Sequence, residues 1–193
     1  HPRYDELQAD TALNTLVPRL TALCGLAKSA GIGLNIDAEE ADRLSLSLDV
    51  IEQTLSQPAL KGWDGFGVVV QAYGQRAGAV IDWLHGLAER LNRKIMVRLV
   101  KGAYWDSEIK KAQVMGLDAF PVFTSKAATD VSYIANARRL LGYTDRIYPQ
   151  FATHNAHTAA AILHMAGDMK VSKEAFEFQR LHGMGETLHA LVK

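Results

Sequence analysis

The chain has 193 residues, 21 acidic and 21 basic side chains and 48% hydrophobic residues, a composition that fits one soluble globular domain or a large part of a bigger one. Balanced charge without a lysine- or arginine-rich run argues against nucleic-acid binding. The single cysteine, Cys24, lies in an apolar run and is predicted to be a buried thiol; with no disulfide, no export leader and no apolar run of about 20 residues, we expect a cytoplasmic protein.

Helical and strand-like patterns alternate along the sequence. In chain order, apolar spacing and turn residues predict a helix over 5–30 with a bend or restart at Pro18, a strand over 31–37, a helix over 39–55 with acidic residues in its first turn, a strand over 66–73, a helix over 79–92, a strand over 95–100, a helix over 107–115, a strand over 122–124, a helix over 126–141, a strand over 148–154, a helix over 156–166, a strand over 176–181 and a helix over 186–192. This alternation predicts a parallel sheet, either a doubly wound open sheet or a barrel.

Polar side chains at the strand ends favour the barrel. Each predicted strand has one at its carboxyl end: Asp37, Gln71, Arg98, Thr124, His154 and, for the last strand, Gln179 or the neighbouring Leu181. The functional face of a (β/α)8 barrel has this distribution, whereas a doubly wound sheet concentrates such residues near one switch point, usually with a glycine-rich turn that is absent here. A complete barrel has eight strands in about 250 residues. Six predicted strands in 193 residues therefore indicate an incomplete barrel.

The segment 96–105 delivers a cation and a glycine to this face. Arg98 lies between apolar residues, so its guanidinium requires an anion or several acceptors. A structural ion pair with Asp37 is the alternative interpretation. Lys101 precedes Gly102, and a lysine beside exposed backbone amides is typical of an anion cradle.

Two aromatic residues, Tyr104 and Trp105, follow directly. Aromatic residues in loops most often serve packing. Their position beside a strand-end arginine, a glutamine and an aspartate favours stacking on a planar heterocycle.

The pair His154 and His157 raises the question of a metal site. Its one-turn spacing lacks the carboxylate of a zinc protease motif, and no cysteine lies nearby, so we predict no metal. Thr153, His154 and Asn155 are instead predicted to hydrogen-bond a cofactor. Asn155 is also a candidate helix cap, and Asp37 is a candidate cap, a site residue or both.

Six stretches of the sequence, taken in order, resemble the proline dehydrogenase domain of the bacterial bifunctional proline utilization A flavoproteins. They are residues 33–44, 69–73, 97–105, 129–133, 149–157 and 176–186 without position 180. The resemblance covers nearly the whole chain. It implies a distorted (β/α)8 barrel in which L-proline is oxidised to 1-pyrroline-5-carboxylate by hydride transfer to FAD.

By this resemblance, residues 1–193 are a partial barrel domain holding the second to the seventh strand. The family's lysine on the first strand would precede His1, and the final strand and helix with paired arginines for the proline carboxylate would follow Lys193. We therefore expect the parent protein to be active and this chain alone to be inactive in proline-dependent dye reduction.

The resemblance also implies roles for individual residues. Arg98 would lie by the flavin N5 region, Tyr104 and Leu181 would wall the proline ring, and Asp37 would orient the charged partners of the substrate. A cationic Arg98 favours negative charge on the reduced flavin, and apolar walls exclude water.

The other implied contacts are with FAD. They assign the ring edge to Gln71, the ribityl and pyrophosphate part to Val100, Lys101, Gly102 and Ala103, the adenine to Trp105, phosphate or ribose to Thr124 and Lys126, general cofactor contacts to Thr153, His154 and Asn155, and the adenosine end to Gln179 and Arg180. Ser125 stands where the family usually has arginine, so one phosphate contact is not carried over.

For the parent protein, the resemblance implies a homo-oligomer, a quinone or membrane electron acceptor and peripheral membrane association. Two alternatives stay open at this point. One is another flavin- or phosphate-binding barrel oxidoreductase, which would ignore proline. The other is a non-catalytic barrel module, which requires that the natural gene lacks the flanking lysine and arginines.

Overall fold

A computed structural model describes residues 8–192 of the chain. Its centre is a sheet of five parallel strands in the order β1-β2-β3-β4-β5. The strands are β1 Leu34–Ile36, β2 Phe66–Gln71, β3 Ile95–Val100, β4 Ile147–Ala152 and β5 Glu177–Gln179. Because each strand pairs with the next one in the sequence, the sheet has no switch point, as in a (β/α)8 barrel and unlike a doubly wound sheet. The predicted fold class is confirmed.

Helices connect the strands and cover one face of the sheet. They are α1 Ala9–Ser29, α2 Leu44–Leu55, α3 Ala77–Arg90, α4 Trp105–Val114, α5 Lys126–Leu141, α6 Ala156–Asp168 and α7 Glu186–Leu191. Short 3-10 turns occupy Ala41–Arg43, Pro58–Leu60 and Lys173–Ala175. The predicted start of the first helix, at residues 5–7, lies outside the described residues. Within them, α1 continues through Pro18 as one helix, so the predicted restart is wrong.

The predicted strand over 122–124 is wrong. Val122 makes only an isolated antiparallel bridge to Gly74, and β3 pairs directly with β4, which leaves no place for a strand between them. Pro121 supplies no N–H for a ladder. The sheet therefore has five described strands rather than six, and Thr124 does not end a strand.

The predicted helix over 39–55 begins later than expected. Glu40 has an extended backbone and precedes a 3-10 turn, and α2 starts only at Leu44. The acidic residues therefore precede the helix, and its first turn contains none. Asp37 lies three residues before Glu40, which occupies the cap position of the 3-10 turn, so Asp37 is not a cap. The other predicted elements agree with the structure apart from shifts at their ends.

Alternate side chains of β3 face opposite sides of the sheet. Ile95, Val97 and Leu99 are fully buried against the helices, whereas Arg98 faces the other side with intermediate exposure. The hydroxyl of Tyr133, on α5, lies 3.1 Å from the carbonyl oxygens of both Leu99 and Ala152. This one buried side chain therefore links α5 to β3 and β4.

A polar chain, formed by hydrogen-bonded side chains of three strands, crosses the face of the sheet opposite the helices. The Asn35 amide on β1 donates to Gln150 Oε1 on β4 at 3.1 Å, and the Gln150 amide donates to Glu177 Oε1 on β5 at 2.9 Å. Gly67 on β2 makes this possible, because a Cβ there would lie 2.5 Å from Asn35 Oδ1. The absence of a side chain on β2 lets β1 reach across to β4.

Two expectations from the sequence concern membrane-spanning helices and the burial of Cys24. No helix within residues 8–192 combines the length and the apolar character needed to cross a membrane. Cys24 is 0% exposed, and burial raises the pKa of its thiol to about 11. The prediction of a buried thiol is confirmed.

Gly67→Ala is expected to lower the free energy of unfolding by about 1–3 kcal/mol, because the new methyl group displaces Asn35 and leaves the buried Gln150 without a donor. Gly86→Ala on α3 is the matched control, since its Cβ would lie 3.7 Å from the nearest atom, at Arg90. Urea denaturation of both variants measures the difference. Equal stability of the two variants would contradict this account of the polar chain.

Candidate functional site

An open cavity of about 1290 Å³ lies at the carboxyl ends of the five strands. Parallel pairing brings all these ends to one edge, which is where barrel proteins place their functional groups. Most of the predicted site residues line it: Asp37, Gln71, Arg98, Val100, Lys101, Gly102, Ala103, Tyr104, Lys126, Thr153, His154, Asn155, Gln179, Arg180 and Leu181. The structure therefore brings these residues together, while their chemical roles remain predictions.

Two predicted site residues, Trp105 and Thr124, do not line the cavity. Trp105 is the first residue of α4, is 41% exposed, and donates its indole N–H to the carbonyl oxygen of Phe123 at 2.8 Å. Thr124 follows in the same non-strand segment. Thr124 therefore lies in the segment where the predicted strand is wrong, and Trp105 contacts that segment through Phe123.

Arg98 and Asp37 form an ion pair across the cavity floor. Arg98 Nη1 lies 3.3 Å from Asp37 Oδ1, and the pair joins β3 to the end of β1 over the intervening β2. The Asp37 side chain is 78% exposed. A pair so open to solvent contributes about 0–1 kcal/mol. The ion pair expected as an alternative exists, and it lies within the cavity rather than replacing it.

One nitrogen of Arg98 has no partner. Its Nε is buried and makes no hydrogen bond within the described residues. A buried donor without an acceptor costs about 1–3 kcal/mol. Arg98 also lines the cavity, so its guanidinium is placed to donate to an acceptor-rich ligand group bound there.

Glu39 was missed by the sequence reasoning. Its carboxylate accepts the Tyr104 hydroxyl at 2.8 Å, and its carbonyl oxygen accepts the Gln71 side-chain amide at 2.8 Å. Gln71 Oε1 in turn accepts the backbone N–H of Ala103 at 3.3 Å. These bonds join the loops after β1, β2 and β3. The signal in the sequence was the position of Glu39, two residues after Asp37 at a strand end.

This contact changes the acidity of Tyr104. The hydrogen bond to Glu39, followed by the charge of Glu39, raises the pKa of the Tyr104 phenol above its ordinary value. The charges of Glu40 and Asp37 act in the same direction. Tyr104 is therefore a neutral hydrogen-bond donor at the cavity wall at physiological pH.

Gly102 gives the loop after β3 its close approach to the sheet. Its φ of +135° is one that L side chains rarely adopt, and a Cβ would lie 2.5 Å from the Tyr73 ring. Tyr73 is itself buried, at 4% exposed. The backbone of residues 101–103 is thus held against an aromatic ring.

Two lysines share one carboxylate beside this loop. Lys101 Nζ contacts Asp130 Oδ1, and Lys126 Nζ lies 2.7 Å from Asp130 Oδ2. Lys126 begins α5, whose N-cap residue Ser125 accepts the N–H of Ala128 at 3.5 Å. Cationic side chains therefore meet a helix N-terminus, an arrangement suited to phosphate oxygens.

His154 takes part in a structural contact rather than a metal cluster. Its Nε2 accepts the backbone N–H of Leu181 at 3.0 Å, and a Cβ on Gly185 would lie 3.3 Å from its ring. The nearby His189 is buried, and its Nε2 lies 2.9 Å from the Thr153 carbonyl oxygen. Asn155 caps α6 by accepting the N–H of Thr158, as predicted.

Within residues 8–192, one group of three side chains could hold a metal ion: His85, Glu89 and Asp145. It joins α3 to the segment before β4 and contains no residue that lines the cavity. Among the described residues, the cavity is lined by cations, amides and a phenol, together with the carboxylates of Asp37, Glu39 and Glu177. That donor set suits an elongated anionic ligand with a planar, acceptor-rich group.

Several known proteins are similar to this chain in sequence. The family described as proline dehydrogenase matches residues 3–193. The bifunctional protein PutA of Rhizobium meliloti is 59% identical over 100% of this chain, and that of Salmonella typhimurium is 57% identical over 100%. The chain spans only 15% and 14% of those two proteins.

A solved structure is equally similar. The crystal structure of a mutant of Bradyrhizobium japonicum proline utilization A superposes with a TM-score of 0.93 at 56% identity. The superposition covers 98% of this chain and 19% of that protein. The similarity thus extends through the sheet and the cavity.

Glu39→Gln is expected to lower the pKa of Tyr104 towards the ordinary value of about 10, because the negative acceptor that favours the neutral phenol is lost. Ultraviolet titration, with Tyr104→Phe as the subtraction reference, measures the shift. Glu40→Gln is the matched control and should produce a smaller shift, since Glu40 acts only through its charge. Equal shifts in the two variants would refute the hydrogen bond as the main cause.

Proposed function

The chain belongs to the proline dehydrogenase family, and on that premise we propose that its cavity binds FAD and L-proline and serves the oxidation of proline to 1-pyrroline-5-carboxylate. The family resemblance stated from the sequence is confirmed. The observation that carries the proposal is Arg98, which lines the same cavity as Lys101 and Lys126 and has a buried Nε without a partner among the described residues. The cavity thus offers an arginine for a planar ring and lysines for phosphates.

The donor set fits FAD. A flavin ring presents nitrogen and oxygen acceptors, and Arg98 Nε is a buried donor that has no acceptor within the described residues. A pyrophosphate requires cations and backbone N–H groups, and Lys101, Lys126 and the start of α5 are placed to supply them.

In this proposal each end of the cofactor has its own residues. Arg98 and Gln71 would hold the ring, while Lys101 to Ala103 and Lys126 would hold the ribityl and pyrophosphate part. Thr153, His154 and Asn155 would contact the cofactor from β4. Adenosine would lie near Gln179 and Arg180. Trp105 and Thr124 do not line the cavity, so the cofactor would contact them only by extending beyond it. When bound, FAD would supply the electron acceptor for oxidation of the carbon–nitrogen bond of proline.

The chain's own side chains would bind, orient and exclude water. Arg98 would place a positive charge where negative charge develops during the reaction, and Asp37 would keep the guanidinium oriented through the 3.3 Å ion pair. Tyr104, held by Glu39, and Leu181 would form the walls around the proline ring. Apolar and neutral walls would limit water near the reacting atoms.

We further propose that residues 1–193 form part of a barrel domain in a larger protein. The strands β1 and β5 have no outer neighbour within the described sheet, and the chain spans 14–15% of its curated relatives. Segments outside this sequence would add the remaining strands of the barrel, among them the first strand and the final strand with its helix. For the whole protein we propose a bifunctional homo-oligomer in the cytoplasm, with peripheral membrane association and a quinone or membrane electron acceptor.

The full-length protein that carries this chain is the material for the test. Its absorbance spectrum is expected to contain flavin bands that bleach when L-proline is added anaerobically. A yellow protein whose bands ignore proline would contradict the substrate. A colourless protein that does not take up FAD would contradict the cofactor.

In the same protein, Arg98→Met is expected to lower kcat/KM for proline by roughly 100-fold or more, because a preorganised charge at the reacting site is lost. Arg90→Met is the matched control: Arg90 lies on α3 and forms an exposed ion pair with Glu52 at 2.8 Å. Steady-state dye reduction measures both variants. Wild-type kinetics in Arg98→Met would remove Arg98 from the proposed site.

A further inference from the structure

We propose that Asp130 is a positioning residue that holds Lys101 and Lys126 together as one phosphate-binding pair. This inference rests on the proposed function, since the phosphates in question are those of FAD. Asp130 was not predicted as a site residue and does not itself line the cavity, whereas both lysines do. Its role would therefore be exerted through the lysines.

The contacts are divided evenly between the two carboxylate oxygens. Asp130 Oδ1 faces Lys101, which follows β3, and Asp130 Oδ2 faces Lys126 at 2.7 Å. Lys126 and Asp130 are one turn apart on α5, so their contact is within the helix. The contact with Lys101 instead joins the helix to the loop after β3. One carboxylate thus fixes cations from two separate elements.

Neither lysine is held by burial alone. The Lys126 side chain is 78% exposed and that of Lys101 is 30% exposed. A free lysine side chain loses rotamer entropy when it binds a phosphate. A carboxylate that already orders both ammonium groups reduces this cost, because the ligand meets them in a fixed arrangement.

The charge state of Asp130 suits this role. Its hydrogen bonds to Lys101 and then to Lys126 lower the pKa of the carboxyl below its ordinary value. The side chain is therefore ionised across the physiological range. Two lysines and one aspartate leave the group with one net positive charge, enough to attract an anion.

Charge alone and positioning predict opposite effects of Asp130→Asn on phosphate binding. If Asp130 only neutralised the lysines, Asp130→Asn would leave two free cations and strengthen the binding of a phosphate-bearing ligand. If Asp130 positions them, the same substitution lets the ammonium groups repel each other and weakens that binding. The sign of the change therefore separates the two explanations.

The experiment compares FAD with riboflavin, which has the same ring and no phosphate. Flavin-free full-length protein is titrated with each ligand by fluorescence quenching. Asp130→Asn is expected to weaken FAD binding roughly tenfold and to leave riboflavin binding unchanged. Because both ligands are measured on one preparation, the ratio of the two affinities is insensitive to a misfolded fraction.

Two further variants complete the design. Asp130→Glu keeps the charge and should restore most of the FAD-to-riboflavin ratio. Asp82→Asn is the matched control. Asp82 lies on α3, pairs with Arg139 on α5 and accepts the Tyr143 hydroxyl at 2.9 Å, and its side chain has an exposure similar to that of Asp130. It should leave the ratio unchanged.

Each result has one meaning. Wild-type protein that fails to bind FAD overturns the proposed function and this inference with it. Wild-type protein that binds FAD, combined with an Asp130→Asn variant that binds FAD equally or more tightly, overturns the inference alone. Equal weakening of FAD and riboflavin, or no restoration by Asp130→Glu, also overturns it, because the effect would then not depend on phosphate.

Discussion

Parallel pairing of every strand with the next is the constraint on which the site depends. It directs all five carboxyl ends to one edge, and the period of two within each strand then separates the faces. In β3 this puts Val97 and Leu99 against the helices and Arg98 towards the cavity. A shift of one residue in the register of β3 would bury the guanidinium and expose the core residues.

The cavity face is held by polar contacts that reach across strands. Asn35 reaches Gln150 because Gly67 leaves room, and Asp37 reaches Arg98 over the same strand β2. These contacts are individually weak where they are exposed. Their value lies in orientation: they hold donors and charges in fixed places at the open end of the sheet, which a ligand site requires.

Contacts from two acidic side chains hold the loops of the site in place. Glu39 joins the segment after β1 to Tyr104 and Gln71, and Asp130 joins α5 to Lys101. In both cases an acidic side chain outside the predicted site fixes residues inside it. The proposed proline oxidation therefore depends on carboxylates whose own contacts are with the protein.

The sequence by itself determined the alternation of strands and helices, the barrel type, the strand-end positions of Arg98 and Asp37 and the family, because these follow from local periodicity and motif order. It misassigned 122–124, where Val122, Phe123 and Thr124 have strand character but β3 and β4 already pair with each other. It also missed Glu39 and Asp130. Only the tertiary structure decided these, since strand pairing and contacts between distant residues depend on which elements are neighbours in space.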